Sequence, residues 1–167
     1  MEETDNGIYR KKEKAQGMVE FALTLPLLLM LFFGIIEFGR LLFYYSAVFT
    51  ASREAARYGS AAGGISGTGN YYQDCGGIRS AAKRIGSFVG IQDGDVVISY
   101  DRPNPSSSTN PAPYATACPP TSDVELGDRI IVRVTGRFRP NVPLLNLDDI
   151  DIVSVARRTI VKDVEVK

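Results

Sequence analysis

The apolar residues of this chain are gathered in one block. From Phe21 to Ile36 the sequence carries no charge, and Glu20 and Glu37 bracket the run. Sixteen residues at the helical rise cover about 24 Å, a little short of a bilayer core of about 30 Å. Apolar character resumes beyond Glu37 and Arg40 with Leu41-Leu-Phe-Tyr-Tyr45. Glu37 and Arg40 stand three residues apart, the spacing at which a helix lets them pair and so soften the cost of lying at a membrane boundary. Phe43, Tyr44, Tyr45 and Phe49 read as an aromatic belt beyond them. The pattern predicts one membrane-spanning helix that continues as an amphipathic helix, with Pro26 as a kink because it removes one backbone hydrogen bond.

From Ser46 to Gly59 small residues recur, with Ala47, Ala51 and Ala55 on one face and Ser52, Ala56 and Gly59 beside it. Such a stripe admits a close neighbour. It suits either a subunit contact or, the favoured reading, packing on the protein's own sheet. Glu54 and Arg57 are spaced to pair.

Past Gly59 the pattern changes to short elements and turn residues. Residues 62–70 read as a flexible loop, and Cys75 to Gly90 as a second helix with Ile78, Ala81, Ala82 and Ile85 at helical spacing. Three strands follow: Val96–Tyr100 after the Asp93-Gly-Asp95 turn, Arg129–Phe138, and Ile150–Val161. Arg102 to Pro120 is a Pro- and Ser-rich loop, and residues 141–149 join the last two strands, with room for a short helix. The expected fold is α+β: a long N-terminal helix packed on an antiparallel sheet of three or four strands, with a second short helix. The expected organisation is a basic leader over 1–17, the transmembrane and amphipathic helix over 18–60, and an extracytoplasmic domain over 61–167.

Mean hydropathy is close to zero, but it averages these two regimes. Arg10, Lys11, Lys12 and Lys14, with only Glu13 among them, set the N-terminus in the cytoplasm by the positive-inside rule. A cleaved secretory signal would share the basic start and the apolar run. The absence of a clean A-x-A site beside the run and the acid at Glu20 count against it.

Charge balances at 19 basic and 19 acidic residues, which offers no electrostatic case for nucleic-acid binding. The sequence has no histidine, so Ser-His and Cys-His catalysis and His-ligated metals are out of reach. Two cysteines, Cys75 and Cys118, in a segment placed outside the cytosol favour a disulfide over two buried thiols. Without histidine they cannot complete a zinc site. The acidic clusters Asp93/Asp95 and Asp148/Asp149/Asp151 lack the spacing of a calcium loop and read as solvated turn acids. Neither a cofactor nor an enzymatic activity is expected.

Three strings carry a family resemblance. They are Ala15-Gln-Gly-Met-Val-Glu-Phe-Ala-Leu-Thr-Leu-Pro-Leu-Leu-Leu29, Phe33-Gly-Ile-Ile-Glu-Phe-Gly-Arg40, and Ala51-Ser-Arg-Glu-Ala-Ala-Arg-Tyr-Gly59. Together they closely resemble the N-terminal region of the TadE-like family, the minor pilins or pseudopilins of the tight-adherence (type IVc) pilus. The resemblance spans about a quarter of the chain. It implies a pilin-like layout and a leader cut by a prepilin peptidase, with Glu20 as the acidic residue usually fifth in the mature protein. The cut then lies between Ala15 and Gln16. The residue before such a cut is usually Gly, and Gly17 offers a second position, before Met18. The implied partners are membrane lipid, the prepilin peptidase, other pilins or pseudopilins and the secretion platform. The implied location is the inner membrane in a single pass, or a surface pilus.

An acid at the mouth of an apolar helix is costly in lipid unless paired. A new α-amino group on a neighbouring subunit would answer Glu20 and set the axial register between helices. The leading expectation is therefore a structural protein of pilus assembly. The alternatives are an anchored extracytoplasmic binding module that never joins a filament and, weakest, an anchored hydrolase using carboxylates alone.

Overall fold

The computed structural model describes residues 6–65, 69–103, 111–141 and 148–161, with side chains described from Gln16 onward. The architecture is α+β, as the pattern predicts. Helix α1 runs unbroken over Asn6–Gly59, Pro26 included, and α2 spans Cys75–Gly86. A two-residue ribbon pairs β1 (Gly64–Ile65) with β2 (Gly69–Asn70). The main sheet holds β3 (Val96–Asp101), β4 (Arg129–Phe138) and β5 (Ile150–Thr159), antiparallel and in that order. Three strands lie within the expected number. The ribbon replaces part of the loop expected at 62–70, with Gly63 just before β1 and Gly69 at the start of β2 at positive φ (96° and 85°). α2 stops four residues short of the expected end. Residues Ser87–Val89 tighten into a 3₁₀ turn, and Gly90 closes it in the left-handed conformation. Residues 142–147, where a short helix could fall, lie outside the described residues.

The chain divides into two compact units. Among the described residues, one holds α1 up to Arg40 together with Asn141, and the other holds Leu41–Pro140 and the residues from Asp148 on.

In the larger unit, the small stripe of α1 faces the unit's own sheet. Ala51, Ser52, Ala55 and Ala56 are fully buried. They meet the β4 row Ile130, Val132, Val134 and Phe138, with Ile78 and Ala82 of α2 completing the layer. Small side chains let the helix approach to the point where backbone glycine matters. A Cβ on Gly136 would overlap Val48, and one on Gly59 would press on Ile130. Ser52 and Ser154 share a hydrogen bond of 2.8 Å across this layer. Tyr44, read in the sequence as part of an aromatic belt, belongs to this core. Its ring meets Phe138 edge-on with centroids 5.1 Å apart.

α2 is fastened to α1 by polar contacts. Asp74 caps α2 by accepting the Gly77 N–H at 2.9 Å, and it also accepts the Tyr58 hydroxyl at 2.7 Å. That hydrogen bond, with burial and the Asp74 charge, pushes the Tyr58 hydroxyl up to about 12. Arg57 and Arg84 both reach Glu54, at 2.7 and 3.2 Å, and the Arg57 hydrogen bond holds that carboxyl below its usual range.

Two buried carboxylates secure the far end of the sheet. Asp101 takes both Nε and Nη2 of Arg129, each at 2.7 Å. Asp128 accepts from Arg102, from the Tyr114 hydroxyl and from the Glu125 N–H. Burial acts to raise the Asp128 pKa, but these donors outweigh it and hold the carboxyl below its ordinary value. Beside them the expected Cys75–Cys118 disulfide is formed. The buried Tyr100 hydroxyl donates to the Tyr72 carbonyl at 2.6 Å.

Candidate functional site

The feature that sets this chain apart is the oily surface of α1. Met18, Phe21, Leu23, Leu27 and Ile35 are each 60 % exposed or more. A globular protein buries such side chains, because each is worth about 1.5–3 kcal/mol when removed from water. Lipid or a neighbouring helix can supply that burial. Among the described residues one helix, Gln16–Gly59, is long and apolar enough to cross a membrane.

The polar residues of this surface sit at its two ends. Glu20 is exposed, and its carboxylate accepts a long bond of 3.4 Å from Gln16 Nε2. One turn later the Thr24 hydroxyl donates to the Glu20 carbonyl at 3.0 Å, so it adds no polar group facing outward. Gln16, Gly17, Met18 and Glu20 thus lie within little more than one helical turn at the start of the apolar run, with Ala15 immediately before them. At the other end, Arg40 Nη1 donates to Glu37 Oε2 at 2.7 Å. Glu37 Oε1 also accepts the Asn141 N–H at 2.8 Å, a partner 104 positions away that no local pattern could reveal. With both carboxylate oxygens engaged, Glu37 is a satisfied charge.

Between these ends a shallow apolar groove of about 520 Å³ opens over Gly34, lined by Leu27, Met30, Leu31, Ile35 and Phe38. A Cβ on Gly34 would meet nothing within 4 Å. The notch runs along one helix face at the spacing that seats the side chains of a second helix.

Three of the five clustered acids are drawn into separate ion pairs. Asp93 meets Lys83 at 2.8 Å, Asp149 meets Arg139 at 3.0 Å, and Asp151 meets Arg137 at 3.5 Å. Among the described residues no three carboxylates or cysteines converge as a metal set. The buried pairs around Asp101 and Asp128, not foreseen from sequence, are structural. Their arginine partners stand 28 and 26 positions off respectively, beyond the reach of any local motif.

No curated protein and no solved structure matches the chain. The family model described as TadE-like protein matches residues 15–57. That segment begins at the residue before Gln16, takes in Glu20, the apolar run and the Glu37–Arg40 pair, and ends within the stripe that packs on the sheet. TadE-like proteins are components of the Tad pilus rather than known enzymes. Residues 15–57, about a quarter of the chain, are thus similar to the TadE-like family, whose members are associated with the Tad pilus, and they coincide with the helix long and apolar enough to cross a membrane.

Proposed function

We propose that this protein is a minor pilin or pseudopilin that supports assembly of the tight-adherence pilus by helix packing, in the membrane or in the fibre. The observation that carries the reading is the coincidence of the TadE-like segment with an apolar helix surface whose one outward acid, Glu20, lies at its start. A prepilin peptidase removes the basic leader between Ala15 and Gln16, or between Gly17 and Met18. The N-terminus lies in the cytoplasm, and residues 61–167 lie beyond the inner membrane. The Cys75–Cys118 disulfide supports that placement, since such bonds persist in oxidising compartments.

Glu20 is the register residue. In lipid its charge costs about 3 kcal/mol if unanswered at depth, less near the interface. A freed α-amino group on a neighbouring subunit offsets that cost at one axial position only. The groove over Gly34 receives the neighbour's side chains, and Pro26, which lacks the N–H that the Ala22 carbonyl would accept, loosens the helix between them. The partners are other pilins or pseudopilins and the secretion platform.

Exchanging the first forty residues for an unrelated single-pass anchor of equal length tests this reading. The chimera is expected to reach the membrane at normal level and to fail to restore surface pili to a deletion strain. Restored piliation would instead make the protein an anchored module whose outer domain alone does the work.

A further inference from the structure

The larger unit carries a second surface, apart from the apolar run Phe21–Ile36. Strand β5 is hydrogen-bonded to β4 on one side, and among the described residues no strand lies on its other side. It is ten residues long and contains no proline. About half of its N–H and C=O groups point away from β4. Sheets usually blunt an edge of this length by shortening, bulging or covering it.

Along this edge, between β5 and α1, lies a groove of about 520 Å³ lined by Phe49, Ser52, Arg53, Val155, Arg157 and Arg158. Its charged residues are all arginines. None of the three forms an ion pair among the described residues. The Arg53 guanidinium rests 4.3 Å above the Phe49 ring, which holds it in place without neutralising it. Elsewhere in this unit, among the described residues, the arginines at 57, 84, 102, 129, 137 and 139 meet carboxylates, while Arg79 and Arg133 do not; the β5 edge is where three without an ion pair line one groove.

Register places these charges on both faces of the edge. Arg158 stands opposite Ile130, a residue of the buried helix-facing row, while Arg157 stands opposite Ile131 on the other face. A strand added to β5 would therefore meet cations on both of its own faces. Carboxylates at two consecutive positions, which a strand directs to opposite sides, would answer Arg157 and the Arg53–Arg158 pair together.

We infer that the β5 edge is a docking site for an extended acidic segment of a partner protein, bound by strand addition and fixed in register by Arg53, Arg157 and Arg158. An anionic lipid headgroup would satisfy the cations but has no use for the free ladder. A second copy of this chain fits less well. Antiparallel pairing centred on Ser154 would set Asp151 opposite Arg157, but Arg137 already holds Asp151, and Arg158 would face Ile150.

The test uses the full chain in zwitterionic detergent and fluorescence anisotropy of a labelled eight-residue peptide. The peptide has alternating Val and Thr around a central Glu-Asp. Micromolar binding is expected, weakened at least tenfold by a Gln-Asn centre and by added salt. The Arg157→Glu/Arg158→Glu variant, checked for unchanged near-UV circular dichroism, should lose at least tenfold as well. N-methylation of alternate peptide amides leaves the charges and the protein intact, and should also abolish binding. No binding, or equal binding of the methylated peptide, would overturn strand addition. Tighter binding of a peptide copying residues 150–159 would assign the edge to a second copy. Displacement of the acidic peptide by micromolar dihexanoyl phosphatidylglycerol would assign it to a membrane surface.

Discussion

Glu20→Ala is expected to insert in the membrane at wild-type level and to leave the cell with few or no tight-adherence pili. Alanine removes a charge that lipid disfavours, so insertion is if anything easier. Assembly suffers because nothing then selects one axial position between neighbouring apolar helices. An oily surface such as Leu23–Phe38 packs almost equally well when slipped by a turn. A register pair worth only about 1.4 kcal/mol biases each contact about tenfold, and repetition along a fibre multiplies the bias. Sheared surface fractions should lose roughly tenfold or more of their pilin, while the membrane pool of this protein stays constant. Glu20→Gln, which keeps shape and hydrogen bonding but not charge, should fail in the same way. Normal piliation in both variants would remove Glu20 from assembly.

The second large effect concerns the outer residues. Replacing Cys75 and Cys118 by serine opens a cross-link across 43 positions. On the chain-entropy account such a loop is worth about 4 kcal/mol. A small domain holds only about 5–15 kcal/mol in all, so the loss is a large share. The bond joins the first residue of α2 to the segment after Ala115, and the Tyr100 hydroxyl oxygen lies 3.3 Å from Cys118 Sγ. The chain has no tryptophan, no tyrosine lies in the apolar run Phe21–Ile36, and Tyr71, Tyr72, Tyr100 and Tyr114 lie outside α1, so near-UV circular dichroism reports on this region. The midpoint of that signal should fall by roughly 15 °C or more. An unchanged midpoint would show that the packing of Tyr100, Ile130 and Phe138 suffices without the cross-link.

Some of this was legible before any coordinates, and the reasons differ from residue to residue. The strands β3, β4 and β5 announce themselves through β-branched runs, and the two cysteines have only each other. The alanine stripe at residues 51, 55 and 56 was readable as a contact face because its spacing is helical. That it meets the protein's own sheet followed from the habit of amphipathic helices. The packing of Tyr44 was not legible, because a tyrosine at a helix boundary serves a lipid interface or a core equally well. Phe138, 94 positions away, decides the matter. The ribbon at Gly64 and Asn70 is too short to show any period. Asp101 and Asp128 carry no local signature of burial, since what makes them tolerable is an arginine brought in from a distant strand or loop. The groove at Arg53, Arg157 and Arg158 lay hidden for the same reason, because two elements about a hundred residues apart build it.

The central claim is that the mature protein keeps its apolar helix with Glu20 near a new N-terminus. Intact mass and N-terminal sequencing of the protein extracted from the membrane test it directly. The account predicts a chain beginning at Gln16 or Met18. A mature polypeptide that begins beyond Ile36 and is recovered free of the membrane would contradict it.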